Sequence, residues 1–138
     1  MAVTFRNKTT GTWANRGDTN ITLPTGTQAG DLLIFHLQTN AGGDASWAAP
    51  SGSTLIVKEA TSGQYQLAYW KIATSTDISN GYYNFNFLST DCYFSLLSFY
   101  GTHQTSPISA YDTGTGSLST TSGEISSAVT PAANCMLS

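Results

Sequence analysis

The chain has 138 residues and a net charge of −3, with only five lysines and arginines, too few for the basic footprint that nucleic acid requires. Charged residues make up 9% and aromatics 12%, which excludes a charge-rich disordered segment and fits one hydroxyl-rich β domain with its own core. No run is long and apolar enough for a membrane-crossing helix, and the N-terminus lacks the basic-then-apolar layout of a secretory signal. The expectation is a chain made and folded in a cytoplasm, with neither nucleic acid nor membrane as partner.

Val3 to Asn7 alternates and predicts a first strand. Lys8 to Gly17 reads as a polar loop carrying Trp13. Thr19 to Leu23 alternates again and stops at Pro24. Gly30-Asp31 then opens the run Leu32-Leu33-Ile34-Phe35-His36-Leu37-Gln38. That run has strand length and is apolar on both faces, which predicts a central strand with both sides covered. Asn40 to Ser51 is a loop with Trp47 inside it. Ser53 to Glu59 is a strand with Leu55 and Val57 assigned to one face. Thr61-Ser62-Gly63 turns the chain into an aromatic strand, Gln64 to Ala73, and the short connection predicts a hairpin. Tyr65, Leu67, Tyr69 and Lys71 share one of its faces.

Thr74 to Gly81 reads as a polar connection. Tyr83, Phe85 and Phe87 alternate with Tyr82, Asn84 and Asn86, as in a half-buried strand. Cys92 to Tyr100 is a second strand apolar on both faces. Pro107-Ile108 opens an edge strand, 111–123 is a Thr, Gly and Ser loop, and 126–130 and 134–138 look like two last strands. No stretch sustains a helical period. The fold predicted is all-β, a single antiparallel β-sandwich or jelly roll over 1–138. Its C-terminal strand, Asn134 to Ser138, reads as truncated or as completed by a neighbouring chain.

Four segments in this order carry a resemblance. They are Gly30-Asp31-Leu32-Leu33, a Trp47, Pro50 and Gly52 loop leading into Thr54-Leu55-Ile56-Val57, the strand Tyr69-Trp70-Lys71-Ile72-Ala73, and Tyr100-Gly101 followed by Pro107-Ile108. Together they resemble the β-sandwich (jelly-roll-like) structural domain of bacteriophage decoration, tail and fibre proteins, found also in some bacterial surface proteins. The chain departs from that pattern where Ser53 or Thr54 replaces the usual Trp after Pro-x-Gly. The resemblance implies a non-enzymatic virion protein, either a capsid decoration or cement protein or a tail or fibre component. Its partners would be copies of itself and other virion proteins. The strand 3–7 and the stretch 124–138 are the expected assembly contacts.

The motifs for chemistry are sparse. His36 lies on the central strand and His103 in a loop, neither beside a recognisable nucleophile. There is no Gly-x-Ser-x-Gly elbow, no His-Glu-x-x-His and no phosphate loop. Asp112-Thr113-Gly114 spells a protease tripeptide but opens a Thr/Gly/Ser loop, and Arg16-Gly17-Asp18 is ordinary turn chemistry. Cys92 and Cys135 read as two buried thiols, and no metal site or cofactor is expected. The alternative function is a carbohydrate-binding module of an adhesin or receptor-binding protein, engaging a host surface glycan. Trp13 and Trp47 would stack on sugar rings while Asn40 and Asp44 bond hydroxyls. The competing reading of both tryptophans is as lids folded back on the sandwich ends.

Overall fold

The computed structural model describes residues 3–13, 17–39, 49–61, 64–87 and 92–108. These residues form β1 (Thr4–Trp13), β2 (Gly17–Thr22), β3 (Leu32–Thr39), β4 (Thr54–Thr61), β5 (Gln64–Ile72), α1 (Ser75–Asn80), β6 (Tyr82–Phe87) and β7 (Cys92–Tyr100). The fold is all-β. A large sheet runs in the order β1-β7-β3-β5-β4, and β2 pairs with β6 in a small one. Every pairing is antiparallel.

The strand apolar on both faces, β3, is the middle strand of the large sheet, and its counterpart β7 is its neighbour. Leu33, Phe35 and Leu37 are buried on one face of β3, in one cluster with Leu67 of β5, Leu96 and Cys92 of β7, Ile21 of β2 and Phe85 of β6. The rings of Tyr83 and Phe85 meet Phe35 at 5.0 and 6.1 Å. The small sheet therefore contributes its alternating apolar side to the same core, while Asn20 and Asn84 on its other side are exposed and bonded to each other at 3.0 Å. The opposite face of β3 departs from expectation: Leu32 is buried there, but Ile34, His36 and Gln38 are only half-buried.

Three predicted boundaries change. The strand predicted over 3–7 continues through the segment assigned to a loop, so β1 pairs with β7 as far as Trp13 opposite Cys92. Its threonines alternate as a half-wet edge strand should, and that polar pattern mimics a loop. Leu55 and Val57 do not share a face, because the register of β4 shifts between them and Ile56 is the extra residue. Leu55 falls opposite Tyr69 and Val57 opposite Ala68, which are neighbours on β5. Residues 75–80 of the polar connection form α1, capped by Thr74 and closed by Gly81 at φ 73°. The predicted hairpin between β4 and β5 is present, with Thr61 opposite Gln64. Pro107 and Ile108 are not in a strand. The loop 111–123 and the strands at 126–130 and 134–138 lie outside the described residues.

Candidate functional site

Two ionic clusters, one partly buried and one buried, close one end of the core. At the first, a bulge in β1 leaves Arg6 without a partner on β7. Its guanidinium reaches Asp31 at 2.6 and 3.1 Å and lies 4.7 Å from the Tyr100 ring centroid. Asp31 also accepts from the Gln28 N–H at 2.8 Å and the Ser98 hydroxyl at 3.2 Å. The Gly30-Asp31 turn predicted from sequence needs its glycine, which sits at φ 92°. The turn extends the β3–β5 ladder through the Gly30 N–H to Ala73 O bond at 2.8 Å and the Ala73 N–H to Asp31 O bond at 2.8 Å.

At the second cluster, Lys71 of β5 donates to Asp77 of α1 at 2.9 Å, and both are buried. Asp77 also completes the capping box, accepting from the Thr74 N–H at 2.8 Å and the Thr74 hydroxyl at 2.7 Å. Burial pushes the Asp77 carboxyl up, but the bonds from Lys71 and Thr74 outweigh it and hold the group below its ordinary range. The Tyr83 ring lies 5.4 Å from the Lys71 ammonium. Burial, and then the Asp77 carboxylate, drive the Tyr83 hydroxyl far above its usual value. That hydroxyl lies near the Asp77 carboxylate but meets no partner in full hydrogen-bond geometry. Replacing Tyr83 by Phe removes an unsatisfied buried polar atom, so thermal unfolding should show stability equal to or slightly above the parent. A loss above about 1 kcal/mol would show that the hydroxyl is bonded after all. In both clusters each charge is matched by a neighbour in the fold, so they lock the end of the core.

The large sheet presents its other face away from the small sheet. Cross-strand register sorts that face into rows. Thr12, Tyr93, Gln38, Gln66 and Glu59 form the first; Thr10, Ser95, His36, Ala68 and Val57 the second; Lys8, Leu97, Ile34, Trp70 and Thr54 the third; Phe5, Phe99, Leu32 and Ile72 the fourth. The face is thus polar at one end and apolar at the other. Tyr93 is 56% exposed in the polar row, and Phe5 is 48% exposed in the apolar one. Sequence reasoning missed this arrangement, because each row takes single residues from strands far apart in the chain.

Of the residues expected to bind sugar, Trp13 lies in β1 rather than a loop, and Trp47, Asn40 and Asp44 lie outside the described residues, as do Arg16, Asp112 and Cys135. His36 is in the second row of the open face. His103 is exposed, and its Nδ1 accepts from the Ser106 N–H at 3.2 Å. Cys92 is fully buried in the core, as expected. Among the described residues no group of three His, Cys, Asp or Glu side chains could hold a metal ion, and no helix is long and apolar enough to cross a membrane. No family model matches the chain, and neither a curated protein nor a solved structure matches it.

Proposed function

We propose that this chain is a non-enzymatic β-sandwich assembly module, built to add a strand to neighbouring chains. Its proposed setting is a bacteriophage particle, as a capsid decoration or as a tail or fibre component among copies of itself and other virion proteins. The edge formed by β1 carries this reading. From Asn7 to Trp13 the strand pairs with β7 without a break, and among the described residues it has no neighbour on its other side. Its unpaired N–H and C=O groups are a template for another strand. That stretch has no Pro and one charge, Lys8. The opposite edge, β4, is guarded by its bulge and by the adjacent Lys58 and Glu59. Phe5, packed edge-on against Phe99 at 5.6 Å, leaves an apolar corner beside the β1 edge. The phage setting rests on the sequence resemblance.

Sedimentation of the chain with purified particles tests the reading. The wild type should pellet with them at a fixed copy number. The Thr10→Lys, Thr12→Lys double variant should stay in the supernatant, because charges on an edge oppose strand addition. Both positions are exposed, so folding should change by less than about 1 kcal/mol in total. Equal pelleting of the two proteins, or of neither, would overturn the reading.

A further inference from the structure

The open face of the large sheet holds polar side chains that the fold does not use. Among the described residues, none of His36, Gln38, Gln66, Tyr93 and Ser95 has a side-chain hydrogen bond to the protein. Some other surface amides do: Asn84 bonds Asn20, Gln104 bonds the Gly30 carbonyl, and Asn7 bonds the Thr25 carbonyl. A carboxamide offers two donors and one acceptor site with two lone pairs, and imidazole and hydroxyls add more of both. These five groups stand on the three inner strands, where pairing on both sides fixes their backbones. A site on such elements is preorganised in a way a loop is not.

The rows differ in height and chemistry. Ser95 and Ala68 are small and flank His36, so the second row forms a low floor across the strands. On one side stand Tyr93, Gln38 and Gln66; on the other stand Leu97, Ile34 and Trp70. One wall is thus polar with an exposed ring, and the opposing wall is apolar. A sugar ring has the same division, with hydroxyls around its edge and C–H groups on its faces that stack on aromatic surfaces. From β7 to β5 the rows span about 10 Å. Between β7 and β5 the rows carry no carboxylate or guanidinium and no ammonium; Lys8 of β1 and Glu59 of β4 stand in register at opposite corners, one charge of each sign, so the face offers no net charge to an ionic ligand. The balance of charge therefore selects a neutral polyol.

We propose that this face binds a neutral oligosaccharide lying across β7, β3 and β5, with Gln38, Gln66 and Tyr93 along one side, Trp70 along the other and His36 beneath. The site lies on the sheet face, one strand in from the β1 edge, whose Thr10 and Thr12 stand opposite Ser95 and Tyr93. It does not depend on strand addition by β1.

The test is an array of neutral oligosaccharides of glucose, galactose, mannose and N-acetylglucosamine, with sialylated and sulfated glycans as charged comparators. Hits are then titrated calorimetrically. At least one neutral probe should bind, and Gln38→Ala, Gln66→Ala and Tyr93→Ala should each weaken it about tenfold with melting temperature unchanged. Binding to no neutral probe, to charged probes only, or with unchanged Kd in all three variants would overturn the proposal. Should a variant lose stability, amide chemical shifts of the wild type decide. Perturbations centred on residues 36, 38, 66, 93 and 95 support the site, and perturbations elsewhere overturn it.

Discussion

Replacing Phe35 by alanine should lower unfolding free energy by about 3–5 kcal/mol, the range for truncating a buried phenylalanine. Phe35 is 1% exposed at the middle of β3. It stands opposite Tyr69 on one side and Leu96 on the other, and it is the residue that Tyr83 and Phe85 of the small sheet pack against. The cavity would therefore open between the sheets, where a rigid strand paired on both sides cannot collapse to fill it. In urea titration the midpoint should fall with little change in slope. Thr12→Ala, at an exposed position of β1, should stay within about 0.5 kcal/mol of the parent. A loss below about 1 kcal/mol at Phe35 would show that the small sheet does not share this core.

The second large effect is expected at Asp77. Its replacement by alanine should cost about 3–5 kcal/mol, because the partner charge stays buried. The Lys71 side chain is 11% exposed and faces Asp77 at 2.9 Å. The same change removes the acceptor of the Thr74 N–H and hydroxyl, so α1 loses half of its capping box. Adding Lys71→Met should restore part of the loss, since a hydrophobic side chain of similar length leaves no uncompensated charge. The pair should also shape the acid limb. The Asp77 carboxyl titrates lower in the folded chain than its ordinary value. Its contribution is therefore complete above the ordinary carboxylate range and is lost as pH falls through the folded value. Through and below the ordinary carboxylate range the wild type should lose stability more steeply than Asp77→Ala, and the two curves should converge in acid. Parallel curves from neutral to acid pH would contradict the assignment.

The parts of the fold legible in the sequence are those where burial is lopsided. Strands β3 and β7 announce a central position because Leu33, Phe35, Leu37 and Leu96 alternate with Leu32, Ile34, Leu97 and Phe99. Strands β5 and β6 show one apolar side each, and the placement of Lys71 beside Leu67 and Tyr69 follows from period two alone. The length of β1 was hidden because an edge strand of alternating threonines has too little apolar contrast to read. Helix α1 is six residues long, too short for a helical period, although Thr74-x-x-Asp77 before Gly81 was a readable capping signal. The bulges at Arg6 and Ile56 were invisible, since pairing register is a property of two strands rather than one. The same reason hid the open face. Gln38, Gln66 and Tyr93 become neighbours only when three strands align.

The ionic clusters show a related limit. Asp31 was readable as a turn residue, and Arg6 as part of a strand, but their contact depends on the extra residue in β1. Both clusters sit where chain segments enter or leave the sheets, at Asp31 before β3 and at Thr74 after β5. They fix those entry points and, among the described residues, leave the edge of β1 and the open face unengaged.

Sedimentation velocity of the purified chain over a wide concentration range shows whether β1 adds strands to neighbouring chains. The wild type should self-associate with rising concentration, and a Thr10→Lys, Thr12→Lys variant should stay monomeric with an unchanged melting curve. A wild type that remains monomeric throughout, or a variant that associates as readily, would contradict strand addition.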